Sequence, residues 1–332
     1  MNRDEPRLVC AADVTPVSVR WLWPGWLPVG KFVLIDGNPG VGKSMITCAL
    51  AAGLTRGRLL SKDEGQQPVG VMLLNSEDGP ADTTRPRLDR AGADIGRVHL
   101  WDWDSAPPLL PARVEWLEKK ITEHAAALVV IDPLTGFLDA RIDSHRDQDV
   151  RHALMPLVRL AERTGVTVLG VRHLNKSDHR QAMQRGMGSI AFAAAARMVW
   201  LAAKHPDDEN QMVLSQVKNN LSKHPRSLLY RIEDRDGVPV IDWQGECDLV
   251  ADDLVAETGQ RSGAVDDAAE WLEQLLADGP VPASEVKEAG ATAGHADKTL
   301  GRAKKTLGVV SRRDGKTWVW ALPDDGQGGQ DA

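Results

Sequence analysis

KFVLIDGNPGVGKSMITCALAAGL, residues 31–54, decides the fold of this chain. A strand-length apolar run, KFVLID, leads into Gly37-x-x-x-x-Gly42-Lys43-Ser44, and an apolar helical pattern, SMITCALAAGL, follows at once. Glycines at this spacing let successive backbone N–H groups turn inward around phosphate oxygens at a helix N-terminus, the arrangement called a P-loop. The expected nucleotide cradle is therefore Gly37, Asn38, Pro39, Gly40, Val41, Gly42, Lys43, Ser44 and Met45. Lys43 is placed to reach the β- and γ-phosphates and Ser44 to hold a magnesium ion, which makes ATP and Mg²⁺ the expected cofactors.

Outward from this stretch, between residues 31 and 203, apolar runs of strand length alternate with longer helical patterns: VGVMLLN, RVHLW, WLEKKITEHA, ALVVID, ALMPLVRLAE and VTVLGV. That rhythm predicts an α/β fold with a mostly parallel sheet covered by helices. After Arg197 the pattern changes to short runs, RMVWL, QMVLSQV, SLLYRI and VPVIDW, broken by HPDDEN and RDG, which read as late hairpins extending the sheet.

Three acids and bases fall at the ends of these strands. ALVVID supplies Asp132, an acid after four apolar residues, where a magnesium-holding carboxylate is needed; a turn-capping role before Pro133 is the other reading. Glu77 ends VMLLNSE, where a base or water-orienting group would face the γ-phosphate, with Asp78 as rival and helix capping near Ala81 as the alternative. His173 ends VTVLGVRH and could hydrogen-bond the γ-phosphate or be structural.

The remaining composition narrows the classes. The 332 residues are 42% hydrophobic and 26% charged, no stretch approaches a membrane span, and the N-terminus lacks a signal-like apolar region, so a cytoplasmic protein with no membrane partner is expected. Cys10, Cys48 and Cys247 are too scattered for a zinc site or a disulfide framework. A net charge of −7 argues against bulk electrostatic coating of DNA, so local basic surfaces matter more than the sum.

One such surface lies between residues 175 and 189, where Lys176, Arg180 and Arg185 stand against Asp178; it reads as a phosphate-contacting loop or as a solvated one. Another lies near the C-terminus. Residues 1–248 are expected to form the ATPase core, 249–264 a linker, 265–322 a small domain of three short helices and a hairpin, and 323–332 a disordered tail. Three helices and a hairpin suggest a winged helix-turn-helix. From 295 to 320 seven basic residues face two acids, and Lys298, Arg302 and Lys305 recur at helical spacing, with Arg312 and Arg313 on the hairpin. A solvated face or a protein-docking surface would show the same pattern.

A Glu after the second strand, an Asp after the fourth and a polar residue after the next is not the layout of a GTPase, a kinase or an AAA+ protein. Together with VRWLWPGWLPVGKFVLIDGNPGVGKS, LNSEDGPADTTRPRLDRAGAD, VVIDPLTGFL, VRHLNKS, RGMGSIAFAAAARMVW and VKNN, it resembles the RecA/DnaB group of P-loop ATPases, and plasmid RepA-type hexameric helicases in particular. The resemblance implies a RecA-like core that assembles into a hexameric ring, a hydrolase of DNA replication with single-stranded DNA in its channel. It implies that Glu77 is the catalytic glutamate, His173 the γ-phosphate sensor and Lys218 a residue reaching the neighbouring subunit's ATP. Where DnaB-type proteins carry Lys-x-Arg, this chain has Lys218, Asn219 and Asn220, which leaves Arg197, Arg231, Arg85 and Arg87 as arginine candidates. A non-unwinding DNA-binding ATPase, and a regulatory ATPase that recruits a protein or duplex DNA through its C-terminal module, stand beside the helicase reading.

Overall fold

Two short strands, β1 (Trp21–Trp23) and β2 (Leu27–Pro28), make an antiparallel ribbon ahead of the main sheet. The main sheet then starts with β3 (Phe32–Gly37), all six residues of which are buried. The computed structural model describes residues 8–58, 67–174, 190–277, 279–315 and 317–323, with side chains except at 255–266, 298, 302 and 305. After β3 come α1 (Lys43–Arg56), β4 (Gly70–Asn75), α2 (Arg85–Ala91), β5 (Val98–Leu100), α3 (Val114–Glu123) and β6 (Ala126–Asp132). There follow α4 (Asp147–Thr164), β7 (Thr167–His173), α5 (Ala191–Ala195), β8 (Met198–Lys204), β9 (Met212–Asn219), β10 (Ser227–Arg235) and β11 (Val238–Cys247).

These strands form one nine-stranded sheet in the order β11-β10-β9-β8-β3-β7-β6-β4-β5. The pairs from β8 through β3, β7, β6 and β4 to β5 are parallel, and those among β8, β9, β10 and β11 are antiparallel. The change of pairing falls after Arg197, where the sequence pattern changes. Strand side chains alternate between two cores because both faces of the sheet are covered. Val33, Ile35, Leu128, Val130 and Leu169 pack with α1 on one face, while Phe32, Leu34, Val129, Ile131 and Val168 pack with α3 and α4 on the other.

The tryptophans have a structural place that composition alone did not disclose. Trp23 stacks on Trp26 at 5.0 Å between ring centroids, and Trp200 meets both rings edge-on. Beside them, the hydroxyl of Tyr230 on β10 donates to the Val41 carbonyl at 2.6 Å, so the late hairpin holds the phosphate loop from behind.

The chain divides into two compact units, Met1–Asp252 and Asp253–Ala332. The stretch expected as a linker is helical from Ala251, within α6 (Ala251–Leu276). No proline interrupts it, Asp252 and Asp253 sit favourably in the first turn, and its two glycines only weaken a helix. The second unit adds β12 (Val281–Pro282), α7 (Ala283–Thr292), α8 (Asp297–Thr306), β13 (Val310–Asp314) and β14 (Thr317–Ala321), the strands ordered β12-β14-β13. Its core holds Leu272, Leu276, Val286, Leu300, Val309 and Trp320. A Cβ on Gly290 would collide with Leu300, so this glycine lets α7 approach α8 closely.

Candidate nucleotide site

The site lies at the carboxyl ends of β3, β7, β6 and β4, where an open parallel sheet leaves a crevice for ligands. Gly37 ends β3, and a Cβ there would come within 2.5 Å of the Ala202 carbonyl, which leaves room for glycine alone. Gly40 and Gly42 have φ of 82° and 84°, the left-handed conformation that glycine tolerates and that turns a loop back on itself. Gly42 is the N-cap of α1, so the loop delivers Lys43 and Ser44 onto the helix's first turn.

Lys43 is the hub of a short polar chain. Its ammonium donates to the carbonyls of Gly37 and Asn38 at 2.8 and 2.9 Å and lies 3.2 Å from His173 Nδ1. Lysine has only donors to offer, so Nδ1 accepts and the imidazole carries its proton on Nε2. That nitrogen faces Glu77 Oε2 at 3.4 Å. Burial brings Lys43 down to about 8, against the pull of Asp132, Asp36 and Glu77. The lysine at the start of α1, the histidine that ends β7 and the glutamate in the turn after β4 therefore meet although they are far apart in the sequence.

Asp132 is buried at the end of β6. Burial raises its carboxyl to about 6, opposed by the bond with Ser44 and by Lys43 and reinforced by Glu77 and Asp78. Its Oδ2 is buried with no hydrogen-bond partner. A hydroxyl beside an orphaned carboxylate oxygen is an all-oxygen donor pair that fits Mg²⁺, a cation that takes one or two protein ligands and completes its shell with water and phosphate. Ser44 and Asp132 would hold it.

The turn after β4 separates Glu77 from its rival. Asn75 Oδ1 accepts from the amides of Glu77 and Asp78, both at 2.8 Å, in a side-chain-closed turn. Asp78 is engaged by Arg87 at 2.6 Å, whereas the Glu77 side chain is 57% exposed and meets only His173 among its described ion pairs. The turn that follows, Pro80–Thr84, has Gly79 as its N-cap and no side-chain cap, so capping there does not occupy Glu77.

Several residues that sequence reasoning passed over support this arrangement. Asp36 and Arg172 face each other in the β3–β7 register and form a buried two-bonded ion pair at 2.9 and 2.7 Å, one residue short of Gly37 and His173. Arg172 also lies 4.9 Å from the centre of the Phe192 ring on α5. Asn75 and the Trp103 indole, which donates to the Asn75 carbonyl at 2.8 Å, brace the Glu77 turn. The only available signal was their nearness to strand ends.

Other expected residues lie elsewhere. Lys218 sits on β9 and donates to the carbonyls of Ala193 and Ala196 at 2.9 and 2.8 Å, closing the end of α5. Arg85 pairs with Asp89 and Arg231 with Asp208, both near the surface, and Arg197 is exposed. Lys176, Arg180 and Arg185 lie outside the described residues, and so do the side chains of Lys298, Arg302 and Lys305. Arg312 and Arg313 are exposed on β13. Among the described residues no helix is long and apolar enough to cross a membrane.

A family model described as an AAA domain matches residues 5–179, more than half of the chain. The chain belongs to the AAA domain family. The AAA domain contains Lys43, Ser44, Glu77, Asp132 and His173, and its P-loop beside a mostly parallel sheet is of RecA-like type. The chain is also 27% identical over 177 residues to the DNA repair protein RadA of Halalkalibacterium halodurans, covering 53% of this chain and 34% of that protein. It is 25% identical over 154 residues to the DNA repair protein RadA of Bacillus subtilis, covering 46% and 30%. The matched segments span about a third of these relatives' length.

Proposed function

We propose that the chain is a DNA-associated motor of RepA/DnaB-like type, a ring-forming helicase or single-strand DNA translocase that hydrolyses ATP. The contact chain Lys43–His173–Glu77 beside Ser44 and Asp132 is the observation that carries the ATP-hydrolysing part of this reading. Lys43 balances charge on the β- and γ-phosphate oxygens. Glu77 orients a water and accepts its proton as that water attacks the γ-phosphorus and ADP leaves. His173, in contact with both, senses whether the γ-phosphate is present. Magnesium, when bound at Ser44 and Asp132, offsets the charge that develops during transfer. The second unit serves as a winged helix on this reading, with three helices, a hairpin and Arg312 and Arg313 near the tip. Lys176, Arg180 and Arg185 are proposed channel contacts, and Lys298, Arg302 and Lys305 a helical contact row.

A second reading, a DNA-binding ATPase that does not unwind, is favoured by the similarity to two proteins named for DNA repair. ATP turnover with and without single-stranded DNA, run beside strand displacement on a forked duplex, separates the two. The motor reading requires stimulation together with displacement. Stimulation alone selects the second reading, and no turnover under any condition sinks both.

A further inference from the structure

The second unit carries an aromatic and cationic surface with no part in the nucleotide site. In the β13–β14 hairpin, Ser311 lies opposite Trp320 and Arg313 opposite Trp318. Residues directly opposed in an antiparallel pair project to the same face, so these four share one side of the ribbon. At the Ser311–Trp320 level this side is packed. Trp320 is buried in the core with Leu300 and Ala303 of α8, and Lys304 of α8 lies 4.5 Å from the centre of the Trp320 ring while bonding the Ser311 hydroxyl. One level nearer the turn, the same side has run past the core. There Trp318 is 57% exposed and the Arg313 beside it is exposed as well.

An indole left in water beside a guanidinium is the usual composition of a binding surface, since both groups gain most when a planar partner covers them. The partner's charge follows from the described cations around the pair: Arg312 and Arg313 on β13 and Lys304 at the Trp320 ring outnumber Asp314. An anionic partner with flat faces is a nucleic acid. A duplex keeps its base faces stacked inside, so an indole on a hairpin can cover only an unpaired base. We propose that Trp318 and Arg313 form a stacking platform for single-stranded nucleic acid, the indole covering one base and the guanidinium holding the adjoining phosphate. This sharpens the DNA-associated reading above, on which it rests, by naming the strand form and the contact.

The two residues leave different signatures. Stacking displaces no counterions, whereas each phosphate contact on a single strand adds about 0.7 to the slope of log affinity against log salt. With the full-length chain and a fluorescein-labelled oligo(dT) strand, Trp318→Ala should weaken binding roughly tenfold at an unchanged salt slope, and Trp318→Phe should restore most of the loss. Arg313→Ala should lower the slope by about 0.7. Trp318 is exposed, so unaltered thermal melting of the variants is the check that folding is intact. Parental affinity in Trp318→Ala overturns the proposal and assigns the indole to a protein partner or to solvent. So does a parental chain that binds duplex of equal length but not the single strand. A parental chain that binds neither overturns the DNA-associated reading itself, an outcome distinct from the other two.

Discussion

Asp132 sets folding against function within one side chain. Its carboxyl is held at about 6 in the folded chain, against roughly 4 when unfolded. The folded state therefore binds this proton more tightly. Burial of the ionised group costs stability above pH 6, and the cost vanishes as pH falls toward 4. Asp132→Asn should raise the unfolding free energy extrapolated from urea titration at pH 7.5, by up to roughly 3 kcal/mol, with the gain shrinking to nothing near pH 4. The same variant should lose magnesium-dependent turnover. An Asp132→Asn chain no more stable than the parent at pH 7.5 would show that the carboxylate is already compensated. At the neighbouring positions, Lys43→Ala should abolish nucleotide binding. Glu77→Gln should retain binding and slow hydrolysis by roughly 10²-fold or more. Parental turnover in Glu77→Gln would remove the base from this position, and Asp78, tied to Arg87, would have to be reconsidered.

Among the elements, β3 and β7 matter most, because they carry the P-loop and His173 and are fastened one residue earlier by the buried Asp36–Arg172 pair. Removing one partner of a buried pair strands a charge and typically costs about 3–5 kcal/mol, whereas replacing both by apolar residues recovers much of that. Arg172→Met should accordingly lower stability in urea strongly, and Asp36→Leu with Arg172→Met less so. Equal losses in the single and double variants would mean that the strands do not depend on the pair. This pair also shows what a single sequence conceals. The strands were legible from their apolar runs, Lys43 from the glycine spacing of the P-loop, and Glu77, Asp132 and His173 because each ends a run. That Asp36 faces Arg172 depends on a parallel register between residues 136 positions apart, which no local pattern encodes. The same limit hid the bond from Tyr230 to Val41 and the bonds from Lys218 to the carbonyls at the end of α5. The first half of α6 was missed for the opposite reason: its polar residues and two glycines resemble a linker, although nothing in them breaks a helix, whereas its second half was legible as the first of the three short helices.

For the whole molecule the open physical question is whether one chain suffices for turnover. Glu77 and His173 face Lys43 in cis, yet the arginines nearest this cluster are already engaged among the described ion pairs, Arg172 with Asp36 and Arg87 with Asp78. An arginine supplied to the transferring phosphate is worth ~10³-fold or more in related chemistry. A neighbouring copy is the proposed source, with the exposed Arg197 and Arg231 as the candidates. Turnover per chain should then rise with protein concentration and level off once assembly is complete. Mixing gives the sharper measurement, because Glu77→Gln chains keep the surface that would serve a neighbour while losing their own chemistry. If subunits fire in a coupled ring, an equal mixture with the parent should fall well below the halved rate of independent chains. If the copies merely complete one another's sites, the mixture should halve, while an Arg231→Ala or Arg197→Ala chain mixed with Glu77→Gln should recover activity that neither has alone. A rate independent of concentration, halved by mixing and unrecovered by complementation, would place the whole active site within one chain and end the ring proposal.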